Sequence, residues 1–446
     1  MSTAAAIAKF VADTPFEAIP PGALARARSC LVDTLGAALG GSRLRAGRIA
    51  VALVEAEAGA GVATVLTARR KAAISQAAFA NAVLASALDV DDGHYGAVGH
   101  PGAPVIPPAL ATAEARRRSG RELLGAVVVG YEIAIRAGEV LNARVGVRSY
   151  GSGTPGAYGA AAAVARLLGL DAGRTAHALG IARCHLPVST VWDSVPYGAM
   201  VKESIGWGAI TGTVAALLAE QGFTGPETVL DEPHHRAESD LAPLDDLGAR
   251  YRVTEAYVKR FPACLMTHAA IDATLALRNR LDAEQDGIAG VTVWSQRAAL
   301  ALTDPAPRSP EGAQYSIPYT VAAALVDGVM GVDQLLDERL DDRRIRDLAA
   351  RVEVRHDPRL DAVYPARRSA RVTIRTVGGR TYEKEVRVLH GSSEDPLTAD
   401  EVDAKFLALA EPVVGKERAA RALGILREVE AHRDLSPLWQ ALAGSE

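Results

Sequence analysis

The strongest constraint on this chain is an abundance of alanine and glycine set at helical spacing. From residue 15 to about 225, apolar residues recur every three or four positions, and most of them are small. Pro20-Pro21 opens the segment ALARARSCLVDTLGAALGG, which closes on Gly40-Gly41 as a helix C-terminus would. Ser119-Gly-Arg-Glu122 fits a capping box ahead of LLGAVVVGYEIAIRAG. Gly159–Leu170 and Ala199–Glu220 are predicted as further helices. Side chains this small on several faces predict helices packed closely against one another.

The pattern changes after about residue 285. VTVWS (Val291–Ser295), RVEVRH (Arg351–His356) and SARVTIRTVGGRTYEKEVRVL (Ser369–Leu389) alternate apolar and polar residues, and Gly378-Gly379 sits between two β-rich arms as a hairpin turn would. SIPYTVAAALVDG and DDRRIRDLAARV are predicted helices between these strands. Thr398-Ala-Asp-Glu401 then opens a second capping box, and helical periodicity runs to the end. The expected fold is mainly α: a large discontinuous all-helical bundle domain, 1–265 with 400–446, and an inserted smaller α+β domain, 266–399. A length of 446 residues accommodates this at roughly 150 residues per domain.

Composition removes several function classes. The net charge of −4 argues against a nucleic-acid partner, which normally calls for a basic excess. The longest apolar run, Leu123 to Ile135, is too short to span a bilayer and contains Glu132. Lys9 and Asp13 interrupt the N-terminal apolar stretch where a signal peptide would need an unbroken one. Cys30, Cys184 and Cys264 are too few and too far apart for a disulfide framework, and no zinc-type spacing exists. A cytoplasmic location is expected.

The densest polar cluster is Asp89-Val-Asp91-Asp92-Gly-His94-Tyr95-Gly-Ala-Val-Gly-His100-Pro101. Three carboxylates and two imidazoles on one loop suit proton transfer or a metal ion; the bland alternative is a solvated helix-capping loop. The spacing does not fit an EF-hand, whose last position would fall on His100. Gly151-Ser-Gly153-Thr-Pro-Gly156 matches GxGxxG formally. The preceding stretch is polar, however, Pro155 removes an amide, and no βαβ unit surrounds it, so a dinucleotide site is rejected. Lys202 stands on a small apolar background and needs an anion, either a neighbour such as Glu203 or a substrate carboxylate. Lys259 and Arg260 precede a rigid Phe-Pro turn and suit anion binding at a domain seam. Cys264 suits a small buried residue. His268 and Tyr319 each suit either a core or a functional role, and His234-His235 suit a surface loop.

Taken in order, these segments resemble the MmgE/PrpD family over nearly the whole chain. The matching stretches are CLVDTLGAALGG, the Asp89–Ala111 loop, Gly130–Gly138, Gly153–Asp171, Met200–Pro226, KRFPACLMTHAAIDA, SIPYTVAAALVDG and DPLTADEVDAKF. The resemblance implies a large helical domain with a smaller α+β domain and a cleft site between them. It further implies no metal or organic cofactor, a homodimer, and small di- or tricarboxylate substrates. It places family roles on Asp89, His100, Lys202, Lys259 and Tyr319. Tyr150 stands where members often carry histidine, Cys264 where the decarboxylases carry histidine, and Glu203-Ser204 replace a more basic stretch. The expected catalytic set is therefore Asp89, His100, Tyr150, Lys202 and Tyr319, with Lys202, Lys259, Arg260 and His268 binding substrate. His100 is the expected general base. The expected activity is that of a 2-methylcitrate dehydratase-like lyase. An iminodisuccinate-type epimerase is the alternative, and a non-catalytic carboxylate-binding scaffold is the rival from another class. A metal enzyme using Asp89, Asp91, Asp92, His94 and His100 is a further rival.

Overall fold

A computed structural model describes residues 2–57, 59–145, 150–230, 238–281 and 287–443. His234-His235 lie outside the described residues. The described residues are mostly helical, with one small four-stranded sheet among them. No described helix is long and apolar enough to cross a membrane.

The glycine and alanine pattern does what its spacing requires. The helices Gly153–Leu168 and Ile205–Glu220 pack along one another, with Gly120–Val145 on the other side of the first. A Cβ on Gly208 would stand 2.2 Å from the Gly153 carbonyl oxygen, so these two backbones touch and no side chain fits between them. Both proposed capping boxes form. Ser119 and Glu122 exchange hydrogen bonds of 2.8 and 3.3 Å, and Thr398 and Glu401 do the same.

The strands are β1 (Ile288–Ser295), β2 (Val352–His356), β3 (Ala370–Thr376) and β4 (Thr381–Val386), in the order β2-β1-β3-β4. β1 pairs parallel to β2 and antiparallel to β3, with Val293 opposite Val354 on one side and Val372 on the other. β3 and β4 form the expected hairpin, with Gly379 in the left-handed region at φ +84°. The Leu265–Arg278 helix covers β3 and β4, and the Ile317–Asp327 helix lies against β2.

The helix Ala399–Val414 packs on Pro21–Gly41. Leu88 and Val90, just before the acidic loop, belong to the same apolar cluster as the sheet residues Val291, Val293 and Val372. The acidic loop therefore emerges where the two halves of the chain share their packing.

One predicted helix is shorter than expected. The segment predicted as Ala199–Glu220 becomes helical only at Ile205. Lys202 and Ser204 adopt left-handed conformations, φ +48° and +56°, which an α-helix cannot contain. Tertiary contacts hold this turn: Ser194 Oγ donates to the Lys202 carbonyl at 2.5 Å, and Lys202 Nζ donates to the Ser86 carbonyl at 2.9 Å. These bonds outweigh the local helical preference.

Gly208→Ala tests the backbone contact. It should destabilise the protein by about 1–3 kcal/mol through overpacking, read as a lower Tm in a thermal melt. An unchanged Tm would show that the two helices can part without cost.

Candidate active site

Asp89 directly follows the helix Ile74–Ala87 and its cap Leu88, and its own φ of +52° turns the chain sharply. A non-glycine residue in this region is uncommon and carries a strain of about 1–3 kcal/mol. The turn aims a buried carboxylate at Lys259, whose Nζ donates to Asp89 Oδ1 at 2.8 Å with both side chains almost fully enclosed. Burial favours the neutral acid, but the charges of Lys202, Lys259 and His100 hold the Asp89 carboxyl well below the usual carboxylate range.

His100, at the far end of the same loop, faces Asp89 through Nε2 at 3.5 Å. Its Nδ1 lies 2.8 Å from the Asp92 carbonyl oxygen and 3.3 Å from Asp91 Oδ2. A carbonyl only accepts, so Nδ1 carries a proton and Nε2 is the nitrogen that exchanges one. Burial opposes a charged imidazole, yet the Asp91 carboxylate, through charge and hydrogen bond, raises the His100 pKa to about 9. His100 therefore rests as an imidazolium near neutrality. In that form it can donate a proton, whereas the general-base role expected from its unperturbed pKa needs the neutral ring.

The loop is pinned from behind. Asp92 accepts from the Gly102 amide at 3.0 Å and the Tyr131 hydroxyl at 2.7 Å, and burial together with Asp33 raises its pKa to about 7. Lys405 Nζ, from the returning Ala399–Val414 helix, bonds both Asp33 Oδ1 at 2.5 Å and the Val90 carbonyl at 2.6 Å. In front, the His100 amide donates to Ser152 Oγ at 2.9 Å, and the Ser152 hydroxyl and amide donate to Glu203. The two ends of the loop, at Val90–Asp92 and at His100, are thus held by separate elements.

These groups open onto a pocket of about 220 Å³, lined in part by Asp89, His100, Glu203, Tyr257, Lys259 and Cys264. Tyr257 and Tyr315, also in its wall, are held neutral because burial pushes both phenols up. Burial likewise raises the Cys264 thiol to about 11. Asp89, Asp91 and His100 form the one described group whose candidate metal-ligating atoms lie within 4.8 Å of one another. Lys259 already places its ammonium on Asp89, so a metal held by Asp89 would have to compete with that contact, and His100 could offer it only Nε2, since Nδ1 is committed as a donor.

Two family models match the chain: the MmgE/PrpD N-terminal domain over residues 5–237 and the MmgE/PrpD C-terminal domain over residues 261–431. The chain belongs to the MmgE/PrpD family. It is 28% identical to the cis-aconitate decarboxylase-like protein oryM of Aspergillus oryzae, over 96% of this chain and 94% of that protein. It is 26% identical to the cis-aconitate decarboxylase of Mus musculus and 27% identical to that of Homo sapiens. Each of these alignments covers 82% of this chain, with 78% and 79% of the respective relatives.

Within this MmgE/PrpD chain, the residues expected from the sequence are dispersed unevenly. Asp89, His100 and Lys259 meet in the pocket. Lys202 lies just behind it, buried, with Nζ on the Ser86 carbonyl and on Gln314 Oε1, both at 2.9 Å. Its charge still acts on Asp89. Tyr150 is outside the lining, in a backbone bridge with Thr190. The Tyr319 hydroxyl donates to the Gln334 carbonyl at 2.5 Å, away from the pocket. Arg260 pairs with Asp272 at 2.5 Å. His268 is buried edge-on against Phe261 beside the Ala263 carbonyl, and burial lowers its pKa to about 3.

Among the lining residues not singled out as functional are Tyr257, Tyr315, Tyr364 and Arg368. Tyr257 carried a usable signal, because in the extended segment Tyr257-Val258-Lys259 alternate side chains share a face. Arg368 carried none, since one arginine in an arginine-rich stretch looks like a solvated charge.

The raised pKa has a direct consequence. A histidine raised from 6.5 to about 9 on folding contributes stability that is complete below pH 6.5 and lost as pH rises through about 9. Asp91→Asn removes the main group raising it. NMR titration of the His100 ring should then show its pKa lower by at least about 1 unit, each unit corresponding to about 1.4 kcal/mol. An unchanged titration would remove Asp91 from this role.

Proposed function

We propose that this protein is a lyase acting on a small di- or tricarboxylate, with side-chain cations stabilising the charge that develops beside a carboxylate. His100 is the proton donor of the reaction. The observation that carries this reading is the junction of Asp89, Lys259 and the His100 imidazolium at the wall of one pocket. At an effective dielectric of 20, a cation 4 Å from a developing anion supplies roughly 4 kcal/mol of gross attraction.

The balance of acids and bases favours one lyase reaction over another. Dehydration and epimerisation both begin with removal of a proton from carbon, which needs a free base. Asp89 is held ionised by its cations, and Glu203 is engaged by Ser152. The other lining groups are proton donors or weak bases: the His100 imidazolium, the neutral phenols of Tyr95, Tyr257 and Tyr315, the neutral Cys264 thiol, and His94, whose pKa burial lowers to about 3 and whose Nδ1 already accepts from the Ala97 amide. Decarboxylation needs only a site for the departing carboxylate's electrons and an acid to protonate the carbon. We therefore place decarboxylation first, in keeping with what the relatives are named for. The dehydratase-like reaction stands second, with Glu203 as the carboxylate that would have to serve as its base.

Incubation in D₂O with 2-methylcitrate, citrate, cis-aconitate and an iminodicarboxylate, followed by NMR, separates the reactions. Loss of CO₂ with one deuteron gained at carbon is expected. Alkene formation from a hydroxy acid would instead establish the dehydratase, inversion the epimerase, and no turnover of any substrate the scaffold. His100→Gln should lower turnover by at least about 10²-fold while leaving the fold intact by circular dichroism. Prolonged EDTA treatment should leave the rate unchanged, and a lost rate restored by metal would overturn the cation account.

The proposal includes a homodimer. Tyr197, Trp207 and Phe223 are large apolar side chains left more than half exposed on the described chain, which suits a covered face. Light scattering should return twice the chain mass of 46.6 kDa. A monomer at micromolar concentration would contradict this part.

A further inference from the structure

The pocket holds a cation with no counter-charge among the described residues. Arg368 lines it and is 8% exposed. Its guanidinium lies 4.6 Å from the ring centre of Tyr364 and 5.3 Å from that of Tyr95. Its Nη1 donates to the Pro365 carbonyl. Among the described residues no carboxylate pairs with it. The contrast with its neighbour is informative: Arg367, whose side chain is 41% exposed, holds both oxygens of Glu394 at 2.8 and 2.5 Å. The exposed arginine is neutralised and the enclosed one is not.

The other lining cations are answered. Lys259 has Asp89, and His100 has Asp91 and Asp89. Two aromatic faces and one carbonyl soften the burial of a guanidinium but do not cancel its charge. An arginine fork so placed matches a carboxylate in two parallel hydrogen bonds. Rings link Arg368 to the rest of the lining: Tyr95, under its guanidinium, lies 4.8 Å from Tyr257, and Leu265 and Met266 also line the space.

We propose that Arg368 receives one carboxylate of the substrate while Lys259 and His100 receive the reacting end. The ligand class is then a polycarboxylate whose carboxylates are separated by an apolar or unsaturated stretch lying along the tyrosines. This makes Arg368 a specificity-determining residue contributed from the later half of the chain, in the role expected of Arg260. The proposal rests on the lyase reading of the same pocket.

The test is calorimetric binding of succinate, glutarate and tricarballylate, with valerate as the one-ended analogue of glutarate. Wild type, Arg368→Gln and Arg368→Lys are compared, with circular dichroism as a check on folding. Arg368→Gln should weaken the polycarboxylates at least tenfold and leave valerate within twofold, and Arg368→Lys should recover part of the loss. Equal loss for valerate would mean a structural role, and no loss for any probe would mean no role; either overturns the proposal while the lyase reading stands. Failure of the wild type to bind any polycarboxylate would overturn both.

Discussion

The buried contact between Lys259 and Asp89 organises everything else in this molecule. It joins the loop that leaves the helix Ile74–Ala87 to the segment leading into the sheet-containing half. Both groups have given up water, so each is stable only in the presence of the other, and removing one costs about 3–5 kcal/mol. The left-handed turn at Asp89 persists because this pairing and the packing of Leu88 and Val90 hold it from both sides. His100 is then placed against Asp89 by the loop's own geometry, and the Asp91 carboxylate lets it keep a proton that an ordinary histidine would lose near neutrality.

Small residues make this geometry affordable in space. Helix backbones that touch at Gly153 and Gly208 bring Ser152 and Glu203 to the front of His100. The returning C-terminal helix brings Lys405 to its back, across more than three hundred residues of sequence. The pocket is therefore a product of helix packing, with its charged groups presented on the turns between helices, where backbone can take strained conformations.

The fold was legible because its signals are local. Capping boxes, the Gly378-Gly379 hairpin and the small-residue periodicity each specify their own element, and each formed where expected. The Ala199–Glu220 segment shows where this fails. Its composition is helical, but the bonds that unwind its first turn come from Ser86, Ser194 and Gln314, which are distant in sequence. The site was legible to the same extent. Asp89 and His100 announce themselves by clustering on one glycine-rich loop. The proton on His100 could not be read, because it depends on how close Asp91 and a carbonyl come to Nδ1. Arg368 could not be read either, because what sets it apart from Arg367 is its enclosure against two rings and the lack of a paired carboxylate among the described residues, all of them tertiary features.

The most direct test of this account is a crystal structure with tricarballylate bound. It should place one carboxylate within about 3.2 Å of Lys259 Nζ. The carbon beside that carboxylate should face His100 Nε2, and a second carboxylate should lie on the Arg368 guanidinium. A ligand seated elsewhere, or one that leaves the His100 and Lys259 side of the pocket untouched, would contradict it.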